Sequence, residues 1–216
     1  MVTVSSSPRV GGLRDRKKAE TRRTLTDAAQ LSFAVGGPTL ERMCTDVGVS
    51  KRTFFRYFAG REDAAMMPLQ DQWNAFRTIL DERLRDVRSG ASVFAVVQEA
   101  FAEATRVCAE RDPEWIISMR RALVLEGEHA SIVAHNLGFC AALTPAIAAA
   151  IAAHAGAQAL RARLLFEVFV VAVRAAQHSW LNAPLGSENV EVLLDQLDRA
   201  VATLAPSLGL RVRVAR

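Results

Sequence analysis

The chain has 216 residues, half of them hydrophobic, a net charge of +4 and three cysteines. That supports one small and one medium domain with a sizeable core, and the sparse, odd cysteine count fits a reducing cytosol rather than a disulfide framework. The charge is uneven: residues 1–60 hold 11 Lys and Arg against 5 Asp and Glu, net +6, while residues 61–216 hold 16 against 18, which is the footprint of phosphate binding confined to the N-terminal part.

The spacing of apolar residues predicts an all-α chain without strands. Residues 1–13 read as a disordered leader, 14–60 as a small helical domain, 61–206 as a larger helical domain and 207–216 as a frayed basic tail. After a first helix, the segment TLERMCTDVGVSKRTFFRYFAGRED (39–63) carries a short helix with Leu40, Met43 and Val47 on one face, then Gly48 for a sharp turn, Val49 as a core plug and Ser50 as an N-cap. A second short helix follows, and a third begins near Arg61. Long helices are expected over 61–87, 92–110, 113–125, 129–155, 158–181 and 187–204. Asp112-Pro113 is a helix start, Pro145 is expected to kink or interrupt its helix, Gly156 is a stop, and residues 182–186 separate the last pair. The apolar run 137–153 reads as too short and too weakly hydrophobic to span a bilayer, and the N-terminus lacks a charged-then-apolar signal layout. The chain is therefore expected to be cytoplasmic, with no membrane partner.

Two short helices across a Gly turn, the second rich in cations, are the layout of a helix-turn-helix whose second helix enters the DNA major groove. Lys51, Arg52, Thr53 and Arg56 are the candidates for the groove face; Arg suits guanine through paired contacts to O6 and N7. Thr39 and Ser50 are N-caps by type, and a helix N-terminus also suits phosphate. Arg42 lies on the outer face of the first short helix, within reach of DNA backbone. Phe54 and Phe58 read as core. The run Arg14, Arg16, Lys17 and Lys18 is either a solvated face or a reach to a neighbouring phosphate or the minor groove.

Residues 16–63 resemble the DNA-binding domain of the tetracycline-repressor-like (TetR-type) family of bacterial transcription regulators. The matches, in order, are Leu25, Ala28, Ala29 and Phe33; Thr39, Leu40 and Met43; Gly48-Val49-Ser50; Thr53 to Phe58; and Arg61-Glu62. They cover about a quarter of the chain. The chain departs from the pattern in a shorter Gly36-Gly37-Pro38 loop, in Cys44 for Ala, Phe55 for Tyr, Arg61 for Lys and Ser32 for Leu. The resemblance implies phosphate contacts by Tyr57 and Arg61, a palindromic double-stranded DNA operator, and a C-terminal pocket whose occupation releases DNA. It offers Trp73, Phe76, Phe94, Phe101, Trp115, Met119, Arg120, Phe139 and Phe169 as candidate lining residues; each apolar one taken singly is more simply read as ordinary core. Arg121, Glu167, Arg174, Gln177 and His178 are further polar groups within apolar stretches.

The last two helices carry more apolar surface than one layer satisfies. Leu160, Leu164, Val168, Val171 and Ala175 make one stripe, and Leu165, Phe169, Ala172 and Ala176 a second; Leu193 and Leu197 lie on the partner helix. Such a pair is either fully interior in a monomer or turns one layer to a second subunit; the resemblance, in which the corresponding pair forms a dimer interface, implies a homodimer through these helices, matching a two-fold operator. The function implied is a repressor released by a small apolar effector, with no cofactor and no metal. The alternatives are a helical protein-interaction module, or an activator without a small-molecule inducer. An enzyme has little support: Glu126, Glu128, His129 and His135 do not follow metalloprotease spacing, and no nucleophile elbow, phosphate loop or dinucleotide motif occurs. Cys44, Cys108 and Cys140 lack metal-ligand spacing and read as buried small hydrophobes.

Overall fold

A computed structural model describes residues 12–36, 39–86, 90–184, 186 and 189–208. Among the described residues there are ten helices and no strand: α1 (Leu13–Ala34), α2 (Leu40–Val47), α3 (Lys51–Phe55), α4 (Arg61–Ala65), α5 (Met67–Asp86), α6 (Val93–Arg111), α7 (Trp115–Glu128), α8 (Ala130–Ala155), α9 (Ala159–Leu181) and α10 (Val190–Leu208). They form two compact units, one ending at Ala65 and the other beginning at Met66, five residues beyond the boundary read from the sequence. Most of the expected leader lies outside the described residues, although its last residue, Leu13, opens α1; Gly37, Pro38 and most of the expected tail also lie outside them.

In the first unit α1 packs on α2 and α4. Leu25, Ala29, Phe33, Met43, Cys44, Phe54, Phe58, Ala64 and Ala65 fill the space between them. Gln30 is buried, and its Nε2 donates to the Ala65 carbonyl at 3.0 Å, so a helix-end carbonyl that has no intrahelical donor is satisfied by α1. Ser32 is buried as well and donates to the Ala29 carbonyl at 2.8 Å.

The expected helix over 61–87 is broken. Met66 forms a turn, and α5 starts again at Met67 with Pro68 in its first turn. The physical reason is Pro68: it has no N–H to give to the Ala64 carbonyl, and its ring would collide with that carbonyl in a continuous helix, whereas a first-turn position needs no N–H.

The second unit is built around aromatic rings from α5, α6 and α9. Trp73 lies 5.4 Å from Phe76, 5.1 Å from Phe101 and 6.1 Å from Phe166, while Phe169 lies 6.2 Å from Phe76, 5.6 Å from Phe101 and 5.9 Å from Phe94, ring centre to ring centre. α7 begins at Trp115 rather than Pro113, because Asp112 Oδ1 accepts from the Glu114 N–H and holds a turn first. α8 runs unbroken through Pro145. At 26 residues it is long and apolar enough to cross a bilayer by length and composition alone, which corrects the estimate from residues 137–153. Here it contacts α5, α7 and α9, burying Ile132, Leu143, Ile147 and Ile151. α10 extends past the expected end at 204, through Pro206 to Leu208.

Candidate nucleic-acid interface

Helix-turn-helix geometry is built from the expected groups. Thr39 Oγ1 accepts from the Arg42 N–H at 3.4 Å, and Ser50 Oγ from the Thr53 N–H at 3.1 Å. Between the two caps Gly48 sits at φ +75°, in the left-handed region, and its N–H bonds back to the end of α2; the Val49 N–H reaches the Cys44 carbonyl at 2.9 Å. This is the closure that lets α3 leave α2 at a sharp angle.

α3 is a single short stretch with two different sides. Phe54 is fully buried, and Phe58 beyond its end is 4% exposed. Arg52, Phe55 and Arg56 are exposed, and with Thr53 they line one depression. The cations of the motif fall into two groups. Arg42 holds Asp46 at 3.0 Å and Lys51 holds Glu41 at 3.1 Å. No described carboxylate pairs with Arg52 or Arg56; the Arg56 guanidinium instead lies 5.2 Å from the centre of the Tyr57 ring. Surface pairs of this kind are worth at most about 1 kcal/mol, so neither carboxylate holds Arg42 or Lys51 strongly against a competing anion. Arg61 is half-buried with its guanidinium 5.0 Å from the centre of Phe33, which fixes the group at the edge of the core.

A feature absent from the sequence reading is a cleft of about 590 Å³ between α1 and the end of α3. Arg14, Asp15, Lys17, Lys18, Thr21, Arg56 and Tyr57 line it. The signal was available: Arg14, Lys17, Lys18 and Thr21 recur at i, i+3, i+4 and i+7, one face of a helix. The linear charge run hides this face, since Arg16 belongs to the run but not to the cleft. Four cations face one carboxylate there.

The candidate effector residues are distributed differently. Trp73, Phe76, Phe94, Phe101 and Phe169 belong to the ring cluster, in contact with one another. Trp115 is buried and donates from Nε1 to the Pro68 carbonyl at 3.1 Å. Met119 is fully buried. Arg120 donates to the Trp180 and Leu181 carbonyls at 3.2 and 2.9 Å, closing the C-terminal end of α9. Phe139 is half-buried on α8. Of the groups weighed for catalysis, Glu126 accepts from Asn136 Nδ2 at 2.5 Å and His135 Nε2 lies 2.9 Å from Gln70 Nε2; both join neighbouring helices.

No protein-family model matches the chain. A curated relative does: the HTH-type transcriptional regulator TcmR of Streptomyces glaucescens is 32% identical over 152 residues, which cover 62% of this chain and 67% of that protein. The chain belongs to the TetR family of transcription regulators. A crystal structure assigned to the same family, from Mesorhizobium loti, overlaps 88% of this chain and 96% of its own at 13% identity and a TM-score of 0.47; nothing about this chain follows from so distant a likeness.

Proposed function

We propose that this chain is a cytoplasmic transcriptional repressor that binds a two-fold DNA operator as a homodimer and leaves it when a small apolar effector occupies the second unit. One observation carries the DNA part. Arg52 and Arg56, without described carboxylate partners, flank Thr53 and Phe55 on the exposed side of a helix whose other side is locked by Phe54. In this reading Lys51, Arg52, Thr53 and Arg56 face the groove and its base edges, while Thr39, Arg42, Ser50, Tyr57 and Arg61 meet the backbone. The cleft of Arg14, Lys17 and Lys18 is well suited to a further phosphate on the same duplex.

The dimer is supported by the exposed stripe Leu160, Leu164, Val168 and Val171 on α9, each 42–66% exposed; four large apolar side chains in one row call for a partner surface. The effector part rests on family membership. Release further requires that the effector bind the DNA-free form more tightly, since equal affinity for both forms shifts nothing.

The test is fluorescence anisotropy on duplexes from the DNA upstream of the chain's own coding sequence, across a salt series. Binding should weaken steeply as salt rises, and Arg52→Ala or Arg56→Ala should each cost about 1–3 kcal/mol on the specific site. Unchanged affinity in the double variant would show that α3 is not the reading helix.

A further inference from the structure

We propose that Phe55 is a specificity-determining residue that reads thymine, by packing its ring on the C5-methyl group in the major groove. The proposal rests on the DNA-binding reading of α3 and deepens it.

The aromatic side chains of this segment divide by exposure. Phe54 and Phe58 are 0% and 4% exposed and close the core, whereas Phe55 is 55% exposed. A single exposed phenyl ring has no meaning by itself. Here it has a setting: it lines one depression with Arg52, Thr53 and Arg56, two guanidinium groups and a hydroxyl with no carboxylate among them. The ring is also held, packed edge-on against Phe54 at 5.5 Å between centres, so little motion is lost when a partner covers it.

A surface of two cations, a hydroxyl and one fixed apolar ring has a limited set of complements. A protein partner would be expected to bring a wider apolar face, and a phosphate would take the cations and leave the ring in water. The edge of a DNA base pair offers both halves. Guanine presents O6 and N7 acceptors to arginine, and thymine presents the one methyl group on the major-groove edge of the unmodified bases. The arrangement therefore favours thymine next to guanine in each half-site.

The experiment begins with duplexes enriched by the wild-type protein from a random pool. Thymines in the enriched duplex are then replaced one at a time by deoxyuridine, which removes only the methyl group. For the wild type, one thymine per half-site should lose about fourfold in affinity on replacement, the value of one buried methyl group. For Phe55→Ala, affinity for the thymine duplex should fall and the thymine and deoxyuridine duplexes should bind alike. Phe55→Leu, which keeps an apolar side chain, should keep part of the discrimination and covers the case in which Phe55→Ala is poorly folded. The proposal is overturned if no thymine is sensitive in the wild type, or if Phe55→Ala retains the full discrimination, the methyl group then acting through another residue or through DNA shape. If the pool yields no enriched duplex, the DNA-binding reading itself fails. That outcome is distinct, because in the other two the protein still binds DNA.

Discussion

The three cysteines show how far residue type and spacing carry. Cys44 and Cys108 are buried and Cys140 is half-buried, as small hydrophobes on apolar faces should be. Burial pushes each thiol up from its ordinary value near 9, and for Cys108 to about 11, against the smaller opposing pull of Arg111. A thiol held protonated is a poor nucleophile, which argues against a redox role. It also carries a pH dependence. Above pH 9 the unfolded chain ionises Cys108 while the folded chain does not, so the stability this thiol carries is intact below pH 9 and is lost as pH rises towards 11. Urea unfolding of wild type and Cys108→Ala at pH 8 and pH 11 should differ in slope with pH, the wild type losing on the order of 2 kcal/mol more. Arg120 marks the limit of such reading. In the sequence it is a polar group within an apolar stretch and a candidate ligand contact; in the structure its guanidinium holds the carbonyls that end α9. An arginine sixty residues away in sequence cannot be recognised as a helix cap by pattern alone.

At the scale of the element, local chemistry predicted the caps and turns best. Thr39, Ser50 and Gly48 are where their side chains, or lack of one, require them. Gly48 has nothing within 4 Å of the position a Cβ would take, so the cost of adding one is backbone strain alone. Gly48→Ala should lower the stability of the first unit by about 1–2 kcal/mol and weaken DNA binding with it; a melting curve indistinguishable from wild type would show that the turn relaxes to another form. The proline rules worked unevenly. Pro68 broke a helix expected to be continuous, whereas Pro145 did not interrupt α8. The difference lies in what surrounds each residue. Pro68 lies where a new first turn can start, while Pro145 lies mid-helix, where burial of Leu143, Ile147 and Ile151 on the same helix offsets the lost hydrogen bond. Periodicity reports apolar spacing but not that balance, which is set by neighbouring helices.

For the whole molecule, the double stripe on α9 was legible, whereas which α10 residues face the core was not. Phe169, Ala172 and Ala176 turn inward while Leu160, Leu164, Val168 and Val171 stay exposed; Leu193 and Leu197, 3% and 2% exposed, belong to the core of their own chain. A charge at Leu193 or Leu197 would therefore unfold the unit. Leu164→Glu is the cleaner probe of the proposed dimer: sedimentation should give a folded monomer for the variant and a dimer for wild type at micromolar concentration, and a monomeric wild type would remove the dimer. The aromatic residues also settle how such experiments can be followed. All three tryptophans, Trp73, Trp115 and Trp180, are buried in the second unit, while Tyr57, the only tyrosine in the sequence, lies in the first. Intrinsic tryptophan emission is thus a reporter for one unit alone, blue-shifted while its indoles are dry and blind to the unit that carries the groove helix. Melting followed by that emission and by backbone circular dichroism will coincide only if the two units unfold as one.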